Sequence, residues 1–278
     1  MSLRDRVRPW IPPAVLEARR RRHGNALRFT DAPADWAGTL SLTSGYSAAA
    51  IRERVAASTR EVVAGRAAYE RDSVLFHEPA YPFPIVAELL RAALANGRRL
   101  NVIDFGGSLG STYRQCRPLL DGVQSLRWHV IEQPGFVAIG HSEFSSDELR
   151  FATSADEVPV SDVPPLLLLS SVLQYLETPD STLRQLLDLR ATHLIIDRTP
   201  MSELDTHRLC IQHVPKAIYD ASYPCWVLSR SQLLDMLSHA GWRVMAEFDG
   251  LDGAFATPHD LKFTFRGLIA ERRRETIS

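Results

Sequence analysis

The chain has 278 residues, enough for one large domain or a domain with a cap. Hydrophobic residues make up 45% and charged residues 23%, a globular balance with room for a core, and the formal net charge of -1 excludes a global field that would draw the chain to nucleic acid. No apolar run reaches the roughly 18 residues of a membrane span, the N-terminus lacks the apolar core of a signal peptide, and the three dispersed cysteines suggest a reducing compartment without a zinc site, so the expectation is a soluble cytoplasmic protein.

Residues 1–43 read as an irregular lead punctuated by Pro9, Pro12 and Pro13, with a basic run from Arg19 to Arg22. That run reads as a solvated helix face or as a weak peripheral contact with an acidic membrane surface, helped by Trp10, Ile11, Val15 and Leu16. Ser47 to Ala64 reads as a helix capped by Ser47, with Ile51, Val55, Val62 and Val63 as its buried stripe. "YERDSVLF", from Tyr69 to Phe76, mixes aromatic, charged and apolar residues too densely for a linker, and its charges need partners if they are packed under a cap. Pro84 to Asn96 reads as a helix with proline in its first turn and Gly97 closing its end, burying Ile85, Val86, Leu89, Leu90, Ala93 and Leu94.

From residue 100 short apolar runs alternate with helical stretches. Strands are expected at Leu100–Ile103, Leu126–Ile131, Leu149–Ala152, Leu166–Leu169 and His193–Ile196, with helices at Ser111–Leu120, Pro134–Ser142 and Asp180–Arg190 between them. Four leucines in a row at Leu166–Leu169 suit a strand covered on both faces. An insert over about 200–228 precedes a helix at Ser231–Ala240 and two last strands, Arg243–Phe248 and Lys262–Ala270. This alternation predicts an α/β, doubly wound, mostly parallel sheet with an antiparallel last strand. The domains are read as 1–80, an N-terminal lead and helical cap, and 81–278, the sheet domain carrying the insert.

In such a sheet ligands bind beyond the carboxyl ends of the strands, at the switch point, where "VIDFGGSLGST" places Asp104, Gly106, Gly107, Ser108 and Gly110. The dinucleotide fingerprint G-x-G-x-x-G fails in both registers, because Ser108 and Ser111, or Leu109 and Thr112, stand where glycine is needed. No Gly-Lys-Ser/Thr follows, so it is not a P-loop either. A carboxylate at the strand end suits a cationic ligand such as S-adenosylmethionine better than a pyrophosphate. Glu132, at the tip of the next strand, can accept hydrogen bonds from both hydroxyls of a ribose, a feature that does not separate NAD from S-adenosylmethionine.

The stretch Leu100–Gly110, Glu132 and "LLLLSSVLQYLETP" resemble the class I S-adenosylmethionine-dependent methyltransferases. "YERDSVLF", "IEQP", "IIDRTP" and "YDASYPCW" further resemble a group of methyltransferases associated with bacterial surface-polysaccharide clusters. Ser108 stands where the class often has glycine. The resemblance implies a seven-stranded Rossmann-like methyltransferase fold and S-adenosylmethionine as cofactor. It also implies that Ser170 and Ser171 pass near the cofactor and that Gln174 and Tyr175 face the acceptor.

Methyl transfer needs an aligned acceptor and, for a hydroxyl, a base. Asp197, Tyr175 and Asp220 are the catalytic candidates; Gln174, Arg198, Tyr219, Tyr223 and Trp226 are candidates for holding the acceptor. The aromatic and acidic mix of "YDASYPCW" suits a sugar stacked on rings, and equally a lid packed on the sheet. The expected acceptor is a sugar, glycan or other small molecule, in one version lipid-linked, methylated on oxygen. The competing readings are a non-catalytic nucleoside-binding or scaffold protein that keeps the fold and, more weakly, an NAD-dependent oxidoreductase. His207 and His213 are poor metal candidates, and no metal is expected.

Overall fold

The computed structural model describes residues 27–33, 35–43, 49–215 and 221–273. The N-terminal arginine run, Ser47, Tyr219 and Asp220 lie outside the described residues. The described chain starts with a strand, β1 (Arg28–Asp31), inside the stretch expected to be irregular. Helix α1 (Trp36–Ser41) follows, capped by Asp35, whose side chain accepts from Gly38 N–H at 2.7 Å. Helix α2 (Ala49–Val63) buries Ile51, Val55, Ala56 and Thr59. Val63, expected in the stripe, is 57% exposed: its spacing keeps it on the buried face, but it is the last residue of the helix.

"YERDSVLF" forms a hairpin of β2 (Tyr69–Arg71) and β3 (Val74–Phe76). Its two turn residues, Asp72 and Ser73, both take left-handed φ, 50° and 66°, the backbone of a type I′ turn usually given to Asn-Gly. Helix α3 (Phe83–Ala95) has Pro84 in its first turn and buries Ile85, Val86 and Leu89. Leu94 faces outward, and its expected place in the buried stripe is taken by Ala92 and by Glu88, whose carboxylate is held by His193 and Arg91.

The sheet domain continues with β4 (Arg99–Phe105), α4 (Ser111–Cys116), β5 (Ser125–Ile131), α5 (Pro134–Ile139), β6 (Leu149–Ala152), β7 (Leu166–Ser170), α6 (Pro179–Leu187) and β8 (His193–Ser202). Helix α4 is shorter than expected because Pro118 lies in a tighter 3-10 turn at Arg117–Leu119. Helix α5 passes into a π-helical turn at Gly140–Phe144. The insert is a hairpin, β9 (Arg208–His213) and β10 (Ser222–Ser229), followed by α7 (Arg230–His239), β11 (Trp242–Ala256) and β12 (Lys262–Arg272).

All strands outside the small hairpin join one sheet of ten. Its centre runs β6-β5-β4-β7-β8-β12-β11, with the switch point between β4 and β7. These strands are parallel from β6 through β8, and β12 runs antiparallel to β8. This is the expected doubly wound, mostly parallel, Rossmann-like α/β architecture with an antiparallel last strand. Three further strands, β1-β9-β10, extend it from the tip of β8, where Leu228 and Ser229 pair with Met201 and Ser202.

Strand alternation divides the core. Leu166 and Leu168 pack with Val102, Trp128 and Val130 under α3, α4 and α5, while Leu167 and Leu169 pack with Ile103, Leu194 and Ile196 under α6 and α7. A third cluster joins Phe29 to Cys210, Cys225, Val227, Phe263 and Phe265.

Candidate active site at the strand tips

Strand β4 ends in the glycine turn. Gly106, Ser108 and Gly110 have φ of 74°, 55° and 84°, and Gly106 N–H donates to Ile131 O at 2.9 Å. The glycines answer first to the protein. A methyl at Gly106 would stand 2.4 Å from Val172 Cγ2, and one at Gly107 would stand 2.4 Å from the carboxyl carbon of Asp104.

Asp104 therefore lies beneath the turn, 0% exposed. Its Oδ2 accepts from Trp128 Nε1 at 2.9 Å and its Oδ1 has no partner. Burial pushes its carboxyl up to about 7. Glu132, one strand away at the tip of β5, is half-buried; it accepts from Gln133 N–H at 2.5 Å, and burial raises its pKa against the bonds from the Gln133 and Ser108 amides. The half-buried carboxylate of Glu132 beside a left-handed turn fits a ligand that brings hydrogen-bond donors to these tips, while Asp104 stays enclosed beneath the turn.

The tip of β7 and the middle of β8, which runs on past the expected strand end at Ile196, form the second half. Ser171 has φ 56° and Arg198 φ 49°, and Ser171 N–H donates to Asp197 O at 2.9 Å. Ser170 Oγ donates to Asp197 Oδ2 at 3.1 Å. Asp197 is buried, and burial raises its pKa, offset by the charge of Arg198. Gln174 Nε2 donates to Ser171 Oγ at 3.1 Å and Arg198 O at 3.2 Å; its Oε1 is buried without a partner. The structure thus brings Ser170, Ser171, Gln174, Asp197 and Arg198 together.

Arg198 is already paired. Its guanidinium donates to Asp72 Oδ2 at 2.6 Å and Asp252 Oδ2 at 3.0 Å, so its charge is neutralised from the hairpin on one side and the irregular part of β11 on the other. Tyr175 donates to Gln212 Oε1 at 3.0 Å and meets Tyr223 edge-on at 5.5 Å; burial raises its pKa. Tyr223 and Trp226 stand on opposite faces of β10, and Trp226 stacks on Trp36 of α1 at 6.3 Å, so the two rings do not line one pocket. His207 accepts from Ser229 N–H at 3.0 Å and donates to Asp180 at 2.9 Å, and His213 bonds Thr30 at 2.9 Å; both belong to the frame. No group of three His, Cys, Asp or Glu that could hold a metal occurs among the described residues.

Two acidic residues of the hairpin complete the site and were not among the residues singled out from sequence. Glu70 is buried; it accepts from the Ser111 hydroxyl at the head of α4 and from Ser73 N–H at 3.2 Å, and burial raises its pKa. Asp72 is the partner of Arg198. The one sequence signal was the demand of the charges in "YERDSVLF" for partners. Two surface depressions lie elsewhere: one of about 490 Å³ between Arg54, Ser58 and Leu75, and one of about 410 Å³ between Met201, Phe255 and Lys262.

No protein-family model and no curated protein matches the chain. Among solved structures it is similar to the 1,6-didemethyltoxoflavin-N1-methyltransferase of Burkholderia thailandensis, bound to 1,6-didemethyltoxoflavin and S-adenosylhomocysteine, at 15% identity over 81% of this chain and 89% of that one, with a TM-score of 0.46. Human N-acetylserotonin methyltransferase in complex with S-adenosylmethionine gives 16% identity, 82% and 58% coverage and a TM-score of 0.45. The glycopeptide N-methyltransferase MtfA, complexed with S-adenosylmethionine, gives 13%, 67% and 87%, and 0.44. All three are methyltransferases, and the likeness is too loose to carry residue roles across.

Proposed function

We propose that the chain is an S-adenosylmethionine-dependent methyltransferase acting on a hydroxyl of a sugar, glycan or other small molecule. The observation that supports this reading most is the pairing of a left-handed glycine turn at the switch point with Glu132 at the next strand tip. The turn backbone would lie along the ligand and Glu132 would accept from the ribose hydroxyls, with Asp104 enclosed beneath the turn. Bound S-adenosylmethionine supplies a methyl group activated by a sulfonium. This chain's own task is then to orient the acceptor and to take its proton. Asp197, a buried carboxyl with a raised pKa, is the candidate for the proton, and Gln174 and Tyr223 are candidates for orientation.

Calorimetry with S-adenosylmethionine, S-adenosylhomocysteine and NAD tests the cofactor. Binding of the first two and not the third is expected; binding of NAD alone would overturn the reading. A non-catalytic scaffold is the second reading, and one observation favours it: the Arg198 and Tyr175 side chains are already bonded to the protein. Turnover on a panel of sugars separates the two. Given an accepted sugar, Asp197→Asn should lose about 10²- to 10⁴-fold in kcat while keeping cofactor affinity.

A further inference from the structure

Seven non-glycine residues among the described ones have left-handed φ, and five of them (Asp72, Ser73, Ser108, Ser171 and Arg198) belong to the loops described above. Such backbone persists only where surrounding contacts over-determine it. The contacts here form one chain of bonds. Ser111, the residue after Gly110, donates to Glu70; Ser73 N–H donates to the other oxygen of Glu70; and the neighbouring turn residue Asp72 takes the guanidinium of Arg198. Arg198 O accepts from Gln174 Nε2, which also donates to Ser171 Oγ just past β7. The link from the glycine loop to Arg198, midway along β8, therefore runs through a two-residue turn whose register is held by a buried carboxyl.

We infer that Glu70 is a positioning residue that acts through Ser111, coupling the cofactor loop to the acceptor side through the β2–β3 hairpin. The inference rests on the methyltransferase reading. Glu70 is only 4% exposed, too little to serve as an ordinary solubilising charge, and both of its oxygens are spent on the two ends of this link. Filling the loop would fix Ser111, and with it Glu70, the turn and the Asp72 carboxylate that holds Arg198.

The test uses the full chain and S-adenosylhomocysteine as the probe. Affinity should fall about five- to tenfold in Ser111→Ala and at least as far in Glu70→Ala, which also removes the acceptor of Ser73 N–H, and the double variant should fall no further than Glu70→Ala, because Ser111 acts only through Glu70. Glu70→Gln can accept from Ser73 N–H through its oxygen and donate to the Ser111 hydroxyl oxygen through its NH2, so it keeps both ends of the link and should stay within about twofold of wild type. Hydrogen exchange supplies a readout that a merely structural role would not move. The probe should slow amide exchange over 106–111 and also over 69–76 in wild type, and over 106–111 alone in Glu70→Ala. Losses that multiply in the double variant, or a hairpin that still responds in Glu70→Ala, overturn the inference. If Glu70→Ala does not fold, a weakened Ser111→Ala beside an unaffected Glu70→Gln carries it, and the reverse pattern sinks it. Failure of the wild-type chain to bind the probe is a different result: it removes the methyltransferase reading on which the inference stands.

Discussion

Asp104 is a carboxyl group with nowhere to spread a charge. It is enclosed by Trp128 and the glycine turn, and burial pushes its pKa up to about 7 from an ordinary 3.8. The folded chain keeps this proton where the unfolded chain has released it. Its contribution therefore favours folding at low pH and is lost as pH rises from about 4 toward about 7, after which it is level. Burial raises Glu70, Glu132 and Asp197 in the same direction, so they add to the slope. Asp104→Asn keeps the acceptor for Trp128 and cannot ionise. Its melting temperature relative to wild type should rise between pH 5 and pH 8; a gap that does not change with pH would show that Asp104 is ionised in the fold. Gly107→Ala presses a methyl on the same carboxyl, 2.4 Å from its carbon, and should cost about 1–3 kcal/mol in urea unfolding. The glycine spacing and the acid ahead of it were legible in the sequence. That the acid turns under the loop was not, because its partner, Trp128, is on another strand.

At the scale of elements, the parallel strands were the most readable part of the chain. Leu166–Leu169 announces burial on both faces, and the structure divides those leucines between two core clusters. The strands β9 and β10 were less readable, since β9 pairs with β10 and with β1, and β10 also with the end of β8, residues that share no local period. The hairpin shows the same limit: Glu70 meets Ser111 and Asp72 meets Arg198 at separations of 41 and 126 residues. The two carboxylates around Arg198 differ in environment, which yields a graded prediction. Asp252 is 14% exposed and Asp72 is 56% exposed. Arg198→Met, leaving Asp252 buried without a cation, should cost about 3–5 kcal/mol. Asp72→Asn should cost at most about 1 kcal/mol, the range of an exposed pair. Equal costs in chemical denaturation would show that the two arms are not distinguished by solvent.

For the whole molecule, β1 closes the third core cluster from the far end of the chain. Phe29 is 3% exposed and lies 4.9 Å, ring to ring, from Phe263 and 5.0 Å from Phe255. Phe29→Ala should cost about 3–5 kcal/mol in equilibrium unfolding, although its strand has four residues. Removing the segment before β1 should not have this effect if the cluster alone is responsible. The same strand sets a constraint in time. Thr30 bonds His213, 183 positions later, so a ribosome adding about 5–20 residues per second delivers the partner roughly 10–40 s after the strand itself. Through that interval the nascent chain carries an unmatched strand bearing an aromatic side chain, and a strand made early is among the last to find its place.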